Sequence, residues 1–589
     1  MLTAKSQSDL VAFDCFDFGK LSRVIYLSGF LPLWKAVEET RARTHGHVFT
    51  AYMNQSEDRC EEFYQYSCGG WQNEHRYLEG KYRVSVLSNL THNHYMQLKS
   101  ILEIEEDEND ADYIKKLKRL YTTCSDTKTL DEQGGEPMVD MISRWNWPIS
   151  SGKNWSKLSF NWRYNLIDFR GLGYSHDILF NLSVTENPLN TSAYIIKLDR
   201  PSFALNYSNI RSYLTPGTSE YYKDPRSSYR LFIDRVIGYC EQEYKATYPT
   251  HTWNFDNSEV RNDLRDMINF EIELANVSWP SWINSILNPI QVDENEPFII
   301  NNLEFLKEVI NLTEKTDART VANYMIWRVI HQSLPLLTCH ARILDYKKNS
   351  LMWWEPPFQH NCYKANQDRW KFCVSLLSRT MRMAVRSYYM QHYLAEESRK
   401  AVLNMTEYIR AGFINVLSNS TWMDAHTKRK AIEKVRDVRF HIAYRRELLN
   451  ESYINGLYKK FFFQLNFQKT DNHLTNVLKI RKWLTDKSLS LLRSPKKTDN
   501  FVNFGALGSL IARKLARAFV GKGRRFDRKG NYVKWWNRHA SRKYREKSGC
   551  IIERYKNYAM KAGAFTPKIK PKLLVDGTAD TIGLKAAYW

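Results

Sequence analysis

The sequence lacks several features that would assign a class of protein directly. It has no run of eighteen or more apolar residues, so no membrane-spanning helix is predicted. None of its nine cysteines stands in a CxxC pair, which leaves zinc-ribbon and thioredoxin-like sites unsupported. It also has no P-loop, no glycine-rich dinucleotide fingerprint, no nucleic-acid-binding motif and no repeat of fixed period.

What the sequence does contain is typical of a large globular protein. Its 589 residues exceed the size at which one hydrophobic core stops growing, so we expect two or more lobes. Hydrophobic residues make up 43% and charged residues 25%, which argues against disorder. The apolar stretch at 24–34 is a poor signal peptide because it is short, contains Pro32 and follows several acidic residues.

Positive charge is concentrated at the C-terminal end. The whole chain carries a formal net charge of +22, and residues 501–589 hold 21 Lys and Arg against 5 Asp and Glu, a net of +16. Such a segment is typical of proteins that bind nucleic acid, acidic lipid or glycosaminoglycan. A solvated surface without a ligand is the alternative.

The glycosylation sequons favour an oxidising, extracytoplasmic compartment. Eleven N-x-S/T sequons occur, more than the roughly five expected by chance, and all precede residue 451. The candidate glycosylation sites are Asn54, Asn89, Asn154, Asn181, Asn190, Asn206, Asn276, Asn311, Asn404, Asn419 and Asn450.

The apolar spacing is mostly helical. We predict helices over 111–124, 323–334, 424–435 and 509–520, and a long helical segment over 373–418 with a break near residues 396 and 397. Strand-like alternation is confined mainly to Tyr194–Leu198 and Phe298–Ile300. The pattern therefore predicts a mainly α fold.

A series of motifs resembles the neprilysin family of zinc metalloendopeptidases. The stretch from Cys60 to Trp71 matches the family's Cys-x-x-Phe-x-x-Tyr-x-Cys-Gly-Gly-Trp opening. About a dozen further matches follow in the family's order, among them Gly134-Gly-Glu-Pro137, Leu198-Asp-Arg-Pro201, Arg369-Trp-Lys-Phe-Cys373, Asn503-Phe-Gly505, Trp535-Trp536 and Asp576-Gly-Thr-Ala-Asp580. The resemblance covers the chain from about residue 50 to its end.

The resemblance implies a two-lobed ectodomain that encloses a chamber for peptides. It suggests an N-terminal tail over 1–50, a large helical capping lobe over 51–480 and an incomplete thermolysin-like catalytic lobe over 481–589. Family members cleave short peptides on the amino side of hydrophobic residues. Their zinc site uses HExxH on one helix and ExxxD on a later one, because histidines four apart share one helix face and the Glu between them polarises the bound water.

This sequence departs from the family at the zinc site itself. Arg513 and Arg517 stand at the positions of the two zinc-binding histidines, and Lys514 stands at the position of the general-base Glu. A guanidinium has no lone pair to give to a metal. Asp576 replaces the third ligand, Asp580 keeps the position that orients a zinc-bound His, and either carboxylate is free to pair with an arginine instead.

We therefore predict that no zinc or other cofactor is bound and that no catalytic residue is intact. The leading hypothesis is a non-catalytic glycoprotein that binds extracellular peptides or a protein partner. The alternatives are an active metalloendopeptidase and a polyanion binder acting through the basic C-terminal segment. Within that segment the loop over 522–529 is a candidate anion site, although part of its charge matches the family's own loop. We expect a secreted or plasma-membrane-associated location, with any anchor outside this chain.

The family's cysteine pattern gives further expectations. It pairs Cys124 with Cys373. Because the chain stops at Trp589, before the family's last cysteines, we expect three thiols without partners, at Cys60, Cys68 and Cys550. The family's substrate-binding edge strand is missing between residues 491 and 501. We also expect residues 501–589 to leave apolar side chains uncovered, namely Trp535, Trp536 and Ile551. The pairs His45-x-His47, His92-x-His94 and His360-x-Cys362 are predicted to be ordinary loop residues rather than metal ligands.

Overall fold

The computed structural model describes most of the chain. It covers residues 52–58, 63–74, 86–187, 190, 193–204, 225–250, 257–274, 298–300, 303–347, 362, 366, 368–393, 396–440, 446–464, 472–493, 508–561 and 571–588. The predicted tail over 1–50, Cys60, Asn206, Asn276, His360 and the segment that replaces the substrate strand lie outside these residues, as do the side chains of Asn89 and Asp576.

Helices dominate the described residues. They are α1 Phe63–Glu74, α2 Val86–Leu102, α3 Asp112–Ser125, α4 Thr127–Glu132, α5 Glu136–Arg144, α6 Pro148–Ser151, α7 Trp162–Leu172, α8 Pro225–Thr247, α9 Asn257–Leu274, α10 Leu303–Lys315, α11 Ala318–Ser333, α12 Cys339–Lys347, α13 Arg369–Thr380, α14 Arg382–Tyr393, α15 Glu396–Ser418, α16 Ala425–Asp437, α17 Glu451–Gln464, α18 His473–Ser490, α19 Gly508–Arg517, α20 Arg538–Lys561 and α21 Pro571–Tyr588. The prediction of a mainly α fold is confirmed. The predicted segment over 373–418 has one break more than expected, because Met381 leaves the helical conformation between α13 and α14.

A small sheet lies beside the helices of the first lobe. Its strands are β1 Asn181–Glu186, β2 Tyr194–Asp199 and β3 Phe298–Ile300 in the order β1-β2-β3. Strands β1 and β2 are antiparallel and pair Val184 with Ile196, whereas β2 and β3 are parallel. Both strands predicted from alternation are present.

The first hydrophobic core runs from Leu98 to Leu492 along the chain. Helix α11 lies in its middle and is buried on nearly every side from Thr320 to Ile330. The helix begins where the Asp317 side chain accepts a hydrogen bond from the backbone N–H of Arg319 at 2.7 Å, which satisfies one of the helix's free N–H groups.

Disulfides tie this lobe together. Cys124 of α3 is bonded to Cys373 of α13, with Cα atoms 5.8 Å apart, as the resemblance implies. A second bond, which sequence reasoning missed, joins Cys339 to Cys362. Cys362 thus has a structural role.

The expectation for Cys550 is wrong. Cys550 is disulfide-bonded, to a partner outside the described residues. The bond is closed within this chain, so it does not require the family's C-terminal cysteines. Cys68 and the buried Cys240 carry free thiols.

A second hydrophobic core combines helices that precede and follow residue 481, where the sequence suggests that the catalytic lobe begins. Helices α15 and α16 pack with α19 and α21, and α20 contacts α21. Trp535 and Ile551 are buried in this core and Trp536 is half-buried, so the expectation that they lie uncovered is wrong. They are covered because the segment between α15 and α16 also reaches them: the rings of Trp422 and Trp536 lie 5.9 Å apart. Among the described residues, no helix is both long and apolar enough to cross a bilayer.

Candidate functional site: the contact between helices α19 and α21

Helix α19 carries the three basic residues that replace the family's zinc-site residues. Its buried face is formed by Ile511, Ala512, Leu515 and Ala516. Apolar residues at these spacings fix one face of a helix against the second core and leave the remaining positions for other side chains. The three basic residues are on those remaining positions: Arg513 and Arg517 are half-buried and Lys514 is exposed.

Helix α21 approaches α19 closely. A Cβ atom added to Gly583 would lie 2.4 Å from the backbone nitrogen of Arg513 and 2.6 Å from its Cα. Only a glycine fits at this distance, because real Cβ atoms do not come so near a backbone. The two helices are therefore in backbone contact at the residue that occupies the first His position.

An ion pair joins the helices beside this contact. The Nε of Arg513 lies 2.7 Å from the Oδ1 of Asp580, and the two side chains are 29% and 42% exposed. From the sequence we expect a pairing of Asp576 or Asp580 with Arg513 or Arg517, and the pair Arg513–Asp580 is present. Asp576 lies one helical turn before Asp580 on α21.

A buried lysine holds the C-terminal end of α19, and sequence reasoning missed it. The Nζ of Lys434, on α16, donates to the carbonyl oxygens of Ala518 at 2.8 Å, Gly523 at 3.0 Å and Phe526 at 2.6 Å. These acceptors include the last turn of the helical segment and the loop after it, where unpaired carbonyls collect. Burial lowers the pKa of the Lys434 ammonium to about 8, although Asp527 opposes the shift.

A second set of basic residues lies on the surface of the same lobe. A cleft of about 920 Å³ opens between the segment 524–536 and the start of α20. The candidate anion site predicted from the sequence covers residues 522–529, and Arg524 and Arg525 are the members of that loop that line the cleft. For the other basic residues of the lining, the only indication in the sequence is the high content of Lys and Arg over 501–589.

Comparison with known proteins decides the family. Two models of Peptidase family M13 match residues 59–445 and 492–589. The chain belongs to peptidase family M13.

Several M13 peptidases are similar over most of their length. Mouse membrane metallo-endopeptidase-like 1 is 23% identical over 613 residues, covering 91% of this chain and 76% of the relative. Neprilysin-2 of Drosophila melanogaster is 26% identical over 576 residues, covering 87% of this chain and 72% of the relative. The prediction of neprilysin-family membership is therefore confirmed.

Solved structures confirm the two-lobed M13 fold. PepO from Lactobacillus rhamnosis superposes with a TM-score of 0.70 at 15% identity, covering 91% of this chain and 86% of that one. A zinc metalloprotease of Mycobacterium tuberculosis in complex with an inhibitor gives a TM-score of 0.66 at 15% identity, covering 91% and 85%. At these identities the likeness concerns the fold alone.

The residues at the M13 zinc position do not fit a zinc ion. Protein zinc sites take lone pairs from Cys, His, Asp or Glu. Here Arg513 and Arg517 offer none, Lys514 offers only an ammonium, and Asp580 already accepts from Arg513. Among the described residues, no cluster of three or more His, Cys, Asp or Glu side chains has the arrangement of a metal site.

Proposed function

We propose that this chain is a member of peptidase family M13 that has lost catalysis and acts as a non-catalytic glycoprotein binding extracellular peptides or a protein partner. The observation that carries the proposal is the ion pair between Arg513 and Asp580. It occupies the position where active relatives are expected to hold a zinc-bound His and the Asp that orients it. A cation now stands where the metal's ligand would be, and its charge repels a divalent ion.

The fold supports retention of binding after the loss of chemistry. The apolar face of α19 and the close contact at Gly583 depend on none of the three basic side chains, so both lobes keep their cores. Function in a fold resides in its site residues, so a scaffold that keeps its shape can lose one activity without losing its surfaces.

Sequon positions and disulfides support an extracellular glycoprotein. Six of the eleven sequon asparagines are exposed in the described residues, which leaves them accessible to a glycan, namely Asn154, Asn190, Asn311, Asn404, Asn419 and Asn450. The bonds Cys124–Cys373 and Cys339–Cys362 are typical of an oxidising compartment. Digestion of the secreted protein with an N-glycosidase is expected to lower its mass. A chain whose mass did not change would contradict the glycoprotein assignment.

Metal analysis of the purified full chain tests the loss of the zinc site. After dialysis we expect far less than one zinc per chain, because three cations stand at the ligand and base positions. The triple variant Arg513→His, Lys514→Glu, Arg517→His serves as the control and should gain metal. About one zinc per wild-type chain, lost on Asp576→Ala, would overturn the proposal and favour the active-peptidase alternative.

Peptide binding is tested separately from cleavage. A fluorescent peptide with internal hydrophobic residues should bind the full chain and be recovered intact by mass spectrometry. Cleavage on the amino side of the hydrophobic residues, sensitive to a chelator, would again favour an active enzyme.

A further inference from the structure

The cleft on the second lobe has an unusual lining. Of its thirteen lining residues, six are Arg or Lys, one is His and none is Asp or Glu. The cationic residues are Arg524, Arg525, Lys534, Arg538, Arg542 and Arg545. A concave surface lined by one sign of charge focuses the field and concentrates ions of the opposite sign.

The described residues neutralise the cations of the cleft only in part. The carboxylate of Glu546 lies 3.8 Å from Arg542 of the lining and 3.0 Å from Lys543. The described residues provide no carboxylate partner for Arg524, Lys534, Arg538 or Arg545. Burial lowers the pKa of Arg524, and repulsion from Arg525 and Arg545 adds to the shift. Unbalanced charge held together in this way is expected where a ligand supplies the counter-charge.

Aromatic rings hold some of these cations in place. The Arg524 guanidinium lies 4.7 Å from the ring centre of Tyr544 and 5.8 Å from that of Trp536. Arg525 donates to the hydroxyl of Tyr532 at 2.8 Å, and Tyr532 is itself 42% exposed. Guanidinium groups fixed by stacking lose less entropy on binding and present planar donors to an oxyanion.

From these observations we propose that the cleft is a binding site for a sulfated polysaccharide chain, gripped by Arg538, Arg542, Arg545 and Lys534 and supported by the stacked Arg524. Each sulfate group offers three oxygens to the forked donors of an arginine. A volume of about 920 Å³ suits several groups of a linear chain rather than one small ion. A concave site also favours a narrow polymer over the flat surface of a membrane.

The choice of a polysaccharide over a nucleic acid rests on the proposed extracellular location. The disulfides support that location independently of the cleft. The proposal does not involve peptide binding, so this proposal and the loss of catalysis can fail separately.

The experiment compares two triple variants of the full chain with equal loss of charge. The cleft variant is Lys534→Ala, Arg538→Ala, Arg545→Ala, and all three side chains are exposed. The matched control is Arg261→Ala, Lys400→Ala, Lys479→Ala, three exposed side chains on α9, α15 and α18. The probe is a heparin-derived octasaccharide, with unsulfated hyaluronan, phosphatidylserine vesicles and single-stranded RNA as comparison probes.

We expect the cleft variant to bind the octasaccharide at least about tenfold more weakly than wild type, and the control variant to change by less than about twofold. Equal losses in both variants would mean non-specific attraction to the net charge and would overturn the proposal. Tighter binding of hyaluronan, vesicles or RNA than of the octasaccharide would overturn it as well. Thermal melting checks the folding of each variant, and a Gln triple at the same cleft positions replaces the Ala triple if melting falls.

Discussion

One buried cation from each core, Arg328 and Lys434, shows two ways of satisfying a buried charge, although backbone carbonyls also hold Arg369 of the first core, those of Cys124 at 2.8 Å and Pro335 at 2.6 Å. In the first core, the guanidinium of Arg328 donates to the hydroxyl of Tyr324 at 2.9 Å. Burial lowers the pKa of Arg328, but Tyr324 and the buried Glu271 outweigh that effect and raise it. In the second core, Lys434 is held by three backbone carbonyls.

The difference concerns what the surrounding sequence must preserve. The arrangement around Arg328 needs particular partner side chains, so a change in one of them leaves a buried charge uncompensated. The arrangement around Lys434 needs only a backbone in the right place. The second core can therefore keep its shape while the side chains at 513, 514 and 517 change. The following predictions test this comparison, from the largest expected effect to the smallest.

Removal of the first core's long-range disulfide is expected to have the largest effect. In the variant Cys124→Ser, Cys373→Ser, the loop between the two positions, a separation of 249 residues, is no longer closed. For a loop of this length the chain-entropy model gives a loss of about 5–6 kcal/mol in the free energy of unfolding. Calorimetry should show the transition of the first core at a lower temperature, with the second core little changed. If both cores shifted together, they would be one cooperative unit and the comparison would fail.

Removal of the second core's lysine is expected to come next. Lys434→Met keeps most of the side chain's volume but removes the three hydrogen bonds that the ammonium donates, at a cost of about 3 kcal/mol. Chemical denaturation measures the loss, and limited proteolysis should cut faster within 508–561. Lys430→Met, at an exposed position one turn earlier on α16, is the matched control and should stay within about 0.5 kcal/mol of wild type. Equal losses of unfolding free energy in the two variants would show that the hydrogen bonds of Lys434 do not stabilise the second core specifically.

Acid is expected to weaken the first core through His473. Burial, together with three nearby arginines, lowers the pKa of this imidazole to about 3. The unfolded chain binds a proton near pH 6.5 and the folded chain does not, so the unfolded state binds more protons between these values and stability falls as the pH falls. Between pH 6.5 and pH 5 the loss is about 2 kcal/mol.

The variant His473→Gln isolates this contribution. Burial raises the pKa of Asp177 to about 6, and that carboxyl acts in the opposite direction, since the folded state holds its proton more tightly than the unfolded state. Asp177 is present in both proteins, so its effect cancels when the pH dependence of wild type is compared with that of the variant. A variant with the same acid dependence as wild type would show that His473 is protonated in the folded protein.

The ion pair between the helices of the second lobe is expected to have the smallest effect. Both side chains are partly exposed, so water screens their attraction. A double-mutant cycle with Arg513→Ala and Asp580→Asn should give a coupling energy of about 0.2–1 kcal/mol. A value above about 3 kcal/mol would mean that the pair, rather than the apolar face of α19, holds the second core together.

Much of the fold could be predicted from local sequence. Helix α3 follows from the spacing of Ile114, Leu117 and Tyr121, because a helix places residues three and four apart on one face. The substituted zinc position could be found because the surrounding motifs fix the register of α19. These features depend on neighbours along the chain.

The remaining features depend on contacts between distant residues. Lys434 reaches carbonyls 84 to 92 residues away, and nothing in the sequence around it indicates that contact. The burial of Trp536 was missed because the segment that covers it, around Trp422, precedes the expected boundary between the lobes. The bond between Cys339 and Cys362 was missed because cysteine spacing alone does not determine pairing.

The contact at Gly583 also has a consequence for motion. With no side chain between α21 and the backbone of Arg513, neither helix has room to slide along or rotate against the other without first separating. The two helices therefore move as one rigid unit. Their backbone amides should exchange hydrogen with solvent through a single shared opening rather than helix by helix.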